Sequence, residues 1–174
     1  MKNKINQTCF MMFSFFILMW GSYFIERTIH FQIGIYPRKF YIEDVFGIFG
    51  VWLSHANLEH IENNSIVFFP ILFFMCLIEK NIFKTLFYLI CSSGVAIWFL
   101  GEGNSFHIGA SALVFASLGY IFTSIFYKNF YYIIPIICAL SYYGLNYFTN
   151  LIQGFIPQQG VSLAGHAGGF VSGI

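Results

Sequence analysis

Charge is the scarcest property of this chain. Lys, Arg, Asp and Glu make up 9% of its 174 residues, while 58% are hydrophobic and 22% aromatic. Soluble domains carry about 25% charged residues. The shortage excludes a water-soluble globular domain and leaves an all-α polytopic membrane protein embedded in a lipid bilayer. The net charge of +1 argues against a nucleic-acid partner. Cysteine is equally sparse. Cys9, Cys76, Cys91 and Cys138 each fall inside an apolar run, with no CxxC pair and no histidine at ligand spacing. They read as small buried hydrophobes, neither a disulfide frame nor a zinc site. HExxH is absent and the histidines are poorly spaced for one ion, so neither metal nor cofactor is expected. No internal repeat, low-complexity segment or soluble domain interrupts the sequence.

The sequence does contain a series of apolar runs. They predict six spans in a single domain over residues 1–174: about 8–25, 57–78, 82–100, 110–127, 130–149 and 161–174. The first run is long, has no small-x-small cleavage site and leads to more spans, so it reads as a helix and not a signal peptide. Glu26–Gly50 reads as a mixed interfacial loop. Asn57 is a good N-cap for the second span, and Pro70 is expected to kink it. The sixth span stops after about half the usual length, which reads as a helix cut short at the C-terminus. Of the eight Lys and Arg residues, Lys2, Lys4, Lys80, Lys84 and Lys128 fall on one side. That side is expected to be cytoplasmic, with the N-terminus. The loops before Asn57, Ser111 and His166 then open outward.

Polar groups inside spans are costly and default to function. One cluster is His55-Ala-Asn-Leu-Glu-His60-Ile-Glu-Asn-Asn64, where His60 and Asn64 share a helix face and His55 belongs to the preceding loop. Another is Gly109-Ala-Ser111, where a polar, glycine-rich loop enters the fourth span. That span covers roughly 25 Å, short of the ~30 Å hydrocarbon core, so Ser111 is expected to lie below the membrane surface. The third cluster is His166, with Gly169 and Gly173 on its face of the sixth span. Ala112, Ala116 and Gly119 form a matching small-residue stripe, so the fourth and sixth helices are expected to pack closely and bring Ser111 to His166. Taken singly, each signal has a plainer account: a capping serine, a histidine that bridges helices, a glycine stripe for packing.

Taken in order, HxxxxHxxxN at His55, His60 and Asn64, GxSx at Gly109–Ala112 and HxxGxxxG at His166–Gly173 resemble the rhomboid family of intramembrane serine proteases. The resemblance runs from about Val51 to the end, in the simple six-span bacterial layout. It implies a bacterial inner-membrane endopeptidase with a Ser–His dyad, its active site opening to the outer side. Ser111 is implied as nucleophile, His166 as base and then acid. Asn64, His60 and the Ser111 N–H are implied as the oxyanion hole. Phe115 stands where the family usually places a tyrosine against the histidine; it keeps the ring and drops the hydroxyl. Ala112 replaces the last glycine of GxSG, and the Trp-Arg pair common in the first outer loop is missing, with Phe46-Gly47 in its place. Glu62, inside the second motif, has no assigned part. The implied substrates are transmembrane segments of other proteins, with the fifth span and the loop Asn150–Gly160, including Phe155, as gate and cap. The competing reading is an inactive rhomboid-like protein that binds membrane clients.

Overall fold

The computed structural model describes residues 2–138, 141 and 162–174, and among them the chain is helical apart from its loops. Among the described residues six α-helices have defined bounds: α1 (Lys2–Ile29), α2 (Ile42–Gly50), α3 (Leu58–Ile78), α4 (Ile82–Leu100), α5 (Ser111–Tyr127) and α6 (Leu163–Ser172). Short 3₁₀ turns cover Val51–Leu53 and Phe130–Ile133, and residues 134–138 continue as helix. Residues 139–140 and 142–161 lie outside the described set, and with them most of the fifth span, the loop 150–160 and Phe155. Among the described residues three helices, α1, α3 and α4, are long and apolar enough to cross a membrane, while α5 is shorter at 17 residues.

The apolar faces explain the arrangement. On α1, Met11, Phe15, Met19 and Tyr23 recur every fourth residue and are buried, while Phe10, Phe13, Phe16 and Phe24 face outward. Phe15 meets Phe68 of α3 at 5.5 Å and Trp52 at 5.0 Å between ring centroids. On α3 the buried stripe is Ile61, Asn64, Phe68, Ile71, Leu72 and Met75, again at helical spacing. Asn57 caps α3 as expected, accepting the His60 N–H at 2.8 Å, and the helix runs on through Pro70. The central element is α5, on which Ala112 to Ser117 are all buried.

Two expectations shift. The first helix runs to Ile29, and the supposed loop after it contains α2. Asp44 stabilises the entry to α2, its carboxylate accepting the backbone N–H of Tyr36 (2.8 Å) and of Tyr41 (3.3 Å). An acid in the first turn also suits the helix dipole. Gly47 and Gly50 are buried, and a Cβ at Gly94 of α4 would strike the Ile48 carbonyl, so α2 lies directly on α4. Charge and proline in residues 26–44 masked these helical stretches in the sequence.

The loops flanking the candidate site are tied together. Ile35 and His107 exchange backbone hydrogen bonds at 3.0 and 2.9 Å. The Arg38 guanidinium donates to the carbonyls of Phe99 (3.0 Å) and Gly101 (2.8 Å). At the other end, the buried Glu79 carboxylate accepts from the hydroxyls of Tyr120 and Tyr132 and pairs with Lys128 at 3.3 Å. Lys4 donates to the Glu79 carbonyl, so Lys4 and Lys128 share the end of the bundle that also carries Lys80.

Candidate active site

The site is built where α5 begins. Its N-cap is Ala110, which has no side chain able to cap, and Ser111 is the first helical residue. The capping account of Ser111 is therefore not what the structure supports. The first backbone bond of α5 runs from Val114 N–H to Ala110 C=O at 2.9 Å, so the N–H groups of the opening turn lack intrahelical acceptors. The turn into the helix is sharp. Gly109 has φ +115°, a region that strongly favours glycine, and its N–H donates to the Val51 carbonyl at 3.0 Å.

Glycine at 109 has a second reason. A Cβ there would lie 2.7 Å from both Cε1 and Nε2 of His60 and 3.6 Å from Nδ2 of Asn64. Both α3 side chains thus converge on the backbone just before Ser111. The Ala56 N–H donates to His60 Nδ1 at 3.4 Å, which leaves Nε2 as the proton-bearing nitrogen of the neutral ring. Asn64 Nδ2 is buried and has no acceptor among the described residues. A buried amide donor without a partner is an unmet cost of about 1–3 kcal/mol. Glu62, between them in sequence, points outward and is exposed.

His55 occupies the loop, as its spacing predicts, and is 1% exposed. Its Nδ1 faces the Leu53 carbonyl at 3.2 Å and its Nε2 accepts the Ala110 N–H at 3.4 Å. A carbonyl on one side and an N–H on the other admit only the neutral ring protonated at Nδ1. Burial first, and then the neighbouring His60, depress its pKa from 6.5 to about 4, against a small opposing pull from the Leu53 carbonyl. Between those pH values the unfolded chain binds a proton that the native chain refuses, so stability falls as the solution is acidified. The expected loss between pH 6.5 and pH 4 is of order 3 kcal/mol. Thermal unfolding in detergent should show it, and a His55→Gln variant should flatten that part of the profile.

His166 arrives on α6, whose N-cap Ser162 accepts the Gly165 N–H at 3.0 Å. This helix lies between α4 and α5 and runs parallel to α5 in tight register. A Cβ on Gly169 would meet the Ala112 carbonyl oxygen at 2.5 Å, and one on Gly173 would strike the Ala116 carbonyl. Gly119 abuts the Phe170 carbonyl in the same way. The small stripes read from the sequence do face each other. In that register His166, one turn before Gly169, comes level with Gly109, one turn before Ala112. The His166 ring stacks on Phe115 at 4.4 Å and 23°, and Phe115 is one turn beyond Ser111 on the same face of α5. His55 and His60 lie edge to face at 5.2 Å.

What the sequence did not single out is the support behind this cluster. Ser54 and Glu26 are buried and bonded to each other next to His55. Ser54 adjoins a motif histidine, and Glu26 lies near the end of an apolar run; those were the only signals available.

A helical membrane protein with three histidines and an asparagine gathered around the glycine turn that leads into Ser111 defines the class. The chain belongs to the rhomboid family: the Rhomboid domain model matches residues 43–174. Uncharacterized proteins of Mycobacterium bovis and Mycobacterium tuberculosis are 29% identical to it over 153 residues, 81% of this chain and 60% of each relative. The chain therefore spans about 60% of the length of the curated relatives it matches. No solved structure matches it.

Proposed function

We propose that this protein is an intramembrane serine endopeptidase that hydrolyses peptide bonds in or near transmembrane segments. The observation that carries the reading is the buried Asn64 Nδ2 beside Gly109, without a partner among the described residues, at the level where α6 brings in His166. A buried donor that meets no acceptor among the described residues is what a transient oxyanion requires.

The Ser111 hydroxyl forms a bond to the scissile carbonyl carbon as its proton passes to neutral His166. The carbonyl oxygen becomes an oxyanion held by Asn64 Nδ2, His60 Nε2–H and the Ser111 backbone N–H. His166 then delivers its proton to the leaving amine as the C–N bond breaks. Water, deprotonated by His166, adds to the acyl-enzyme carbonyl carbon, and as the C–O bond to Ser111 breaks His166 returns that proton to the Ser111 oxygen. Stacking on Phe115 orients the imidazole, so the reading is a dyad without a carboxylate. Six spans are part of this reading, with a cytoplasmic N-terminus and the site open to the outer side of a bacterial inner membrane. The end of the bundle that gathers Lys4, Lys80 and Lys128 would then be cytoplasmic.

A fluorophosphonate probe tests the chemistry. Wild-type protein in detergent should acquire one adduct, mapped by peptide mass to Ser111, and His166→Ala should lose it. Folded wild-type protein that takes up no label at Ser111 would return the chain to the inactive, client-binding reading.

A further inference from the structure

The segment 51–56 holds the catalytic turn on one side and is itself held by α1 on the other. On the catalytic side, the Val51 carbonyl accepts the Gly109 N–H at 3.0 Å and His55 Nε2 accepts the Ala110 N–H at 3.4 Å. On the α1 side, Ser22 donates to the Leu53 carbonyl at 2.8 Å and Arg27 to the Ala56 carbonyl at 2.5 Å. The Ser54 hydroxyl accepts the Ile33 N–H at 2.7 Å and donates to the Glu26 carboxylate. Ser54 is 0% exposed and Glu26 8%.

Glu26 stands out within this set. Its Oε2 is buried and makes no hydrogen bond of good geometry among the described residues, although the backbone N–H groups of His55 and Ile33 lie near the carboxylate. A buried carboxylate with one oxygen so poorly bonded is costly to fold. It lines a cavity of about 350 Å³ together with Arg27, His30, Gln32, His55 and Ala56. That space gives residues 54–56 room to shift if the Ser54 hydroxyl is released. Glu26 also lies outside residues 43–174, the stretch that the family model covers.

We propose that Glu26 is a positioning residue for the reaction: by fixing Ser54 it holds the His55 ring against the Ala110 N–H and so sets the turn that carries Ser111. The proposal rests on Ser111 being the nucleophile. Glu26 touches neither substrate nor reacting atoms. Its effect passes through two hydrogen-bonded neighbours, and a displacement of about 1 Å at a reacting group can lower a rate by 10²-fold.

The test compares Glu26→Ala, Glu26→Gln, Ser54→Ala and the Glu26→Ala/Ser54→Ala double variant in full-length protein. Two readouts are taken: cleavage of a fluorescent transmembrane substrate and hydrogen exchange of the peptide spanning Gly109–Ser111. Glu26→Ala and Ser54→Ala should each lower kcat per folded molecule by about tenfold to a hundredfold with KM within twofold. The double variant should fall no further than the worse single one, because both act through one bond. Glu26→Gln keeps an oxygen for the Ser54 hydroxyl and should restore most of the rate. Exchange around Gly109–Ser111 should quicken in the two alanine variants and not in Glu26→Gln.

Additive losses, a loss that merely tracks the folded fraction, or unchanged exchange at Gly109–Ser111 would overturn the proposal. Wild-type protein without Ser111-dependent cleavage would instead overturn the protease reading, and the exchange measurement, which needs no turnover, would still report whether Glu26 sets the turn.

Discussion

Replacing Ser111 with alanine is expected to lower cleavage of a transmembrane substrate by on the order of 10⁴-fold or more, while leaving the fold intact. In the proposed mechanism no other group supplies the covalent step, so the loss is large; removing a nucleophile elsewhere has eliminated nearly all rate enhancement beyond that of oxyanion and binding contacts. The fold should survive because Ser111 is not the cap of α5 and alanine is the best helix former. Asn64→Ala provides the graded comparison. It removes one buried donor, and loss of one oxyanion donor typically lowers kcat by about 10²–10³-fold. It also deletes a polar group with no partner among the described residues, so thermal stability should hold or rise slightly. Rate and melting temperature measured together separate this from ordinary damage. An Asn64→Ala variant that unfolds early and keeps its rate per folded molecule would make Asn64 structural.

The second large effect is expected at adjacent glycines that differ in what surrounds them. Gly169→Ala places a methyl 2.5 Å from the Ala112 carbonyl oxygen and 3.1 Å from its carbon, both backbone atoms one residue beyond Ser111. Neither can rotate away, so α6 must back off from α5. Overpacking of this kind costs about 1–3 kcal/mol. The activity loss should be larger than the stability loss suggests, because α6 carries His166 and the displacement occurs one turn from it. About 10²-fold in rate is expected. Gly168→Ala is the control. Its methyl would meet Leu100 Cδ1 at 2.9 Å and Ala96 Cβ at 3.3 Å. The nearer of these is the end of a flexible side chain that can give way, so activity should stay within a few-fold of wild type. Equal damage from the two substitutions would mean that the α5–α6 register does not control the site.

Much of this was legible in the chain itself. Asn57 capping α3, His60 and Asn64 on one face of α3, and the facing small stripes of α5 and α6 follow from helical period and residue size. Phe115 one turn beyond Ser111 follows from the same period, and its stacking on His166 from the family resemblance. The reading of residues 26–50 as loop was wrong in part because a membrane protein's helices extend beyond the hydrocarbon. There Glu26 and Arg27 can be helical without lipid contact. Likewise α2 hides its glycines against residues 33–35, receives Gly94 of α4 at Ile48, and gives no long apolar run to find. The expected fifth-span gate and the Phe155 cap lie outside the described residues.

Composition by itself determined that this is a helical membrane protein, and motif order carried the resemblance to the rhomboid family, because charge scarcity and the spacing of polar residues are properties of the linear chain. Which polar atoms meet was decided only by the fold. His55 touches the Ala110 N–H across 55 residues, Glu26 reaches Ser54 across 28, and His166 comes level with Gly109 because glycines let two backbones touch. Side-chain spacing along one helix is local and readable, whereas the convergence of separate helices depends on how closely their surfaces can pack.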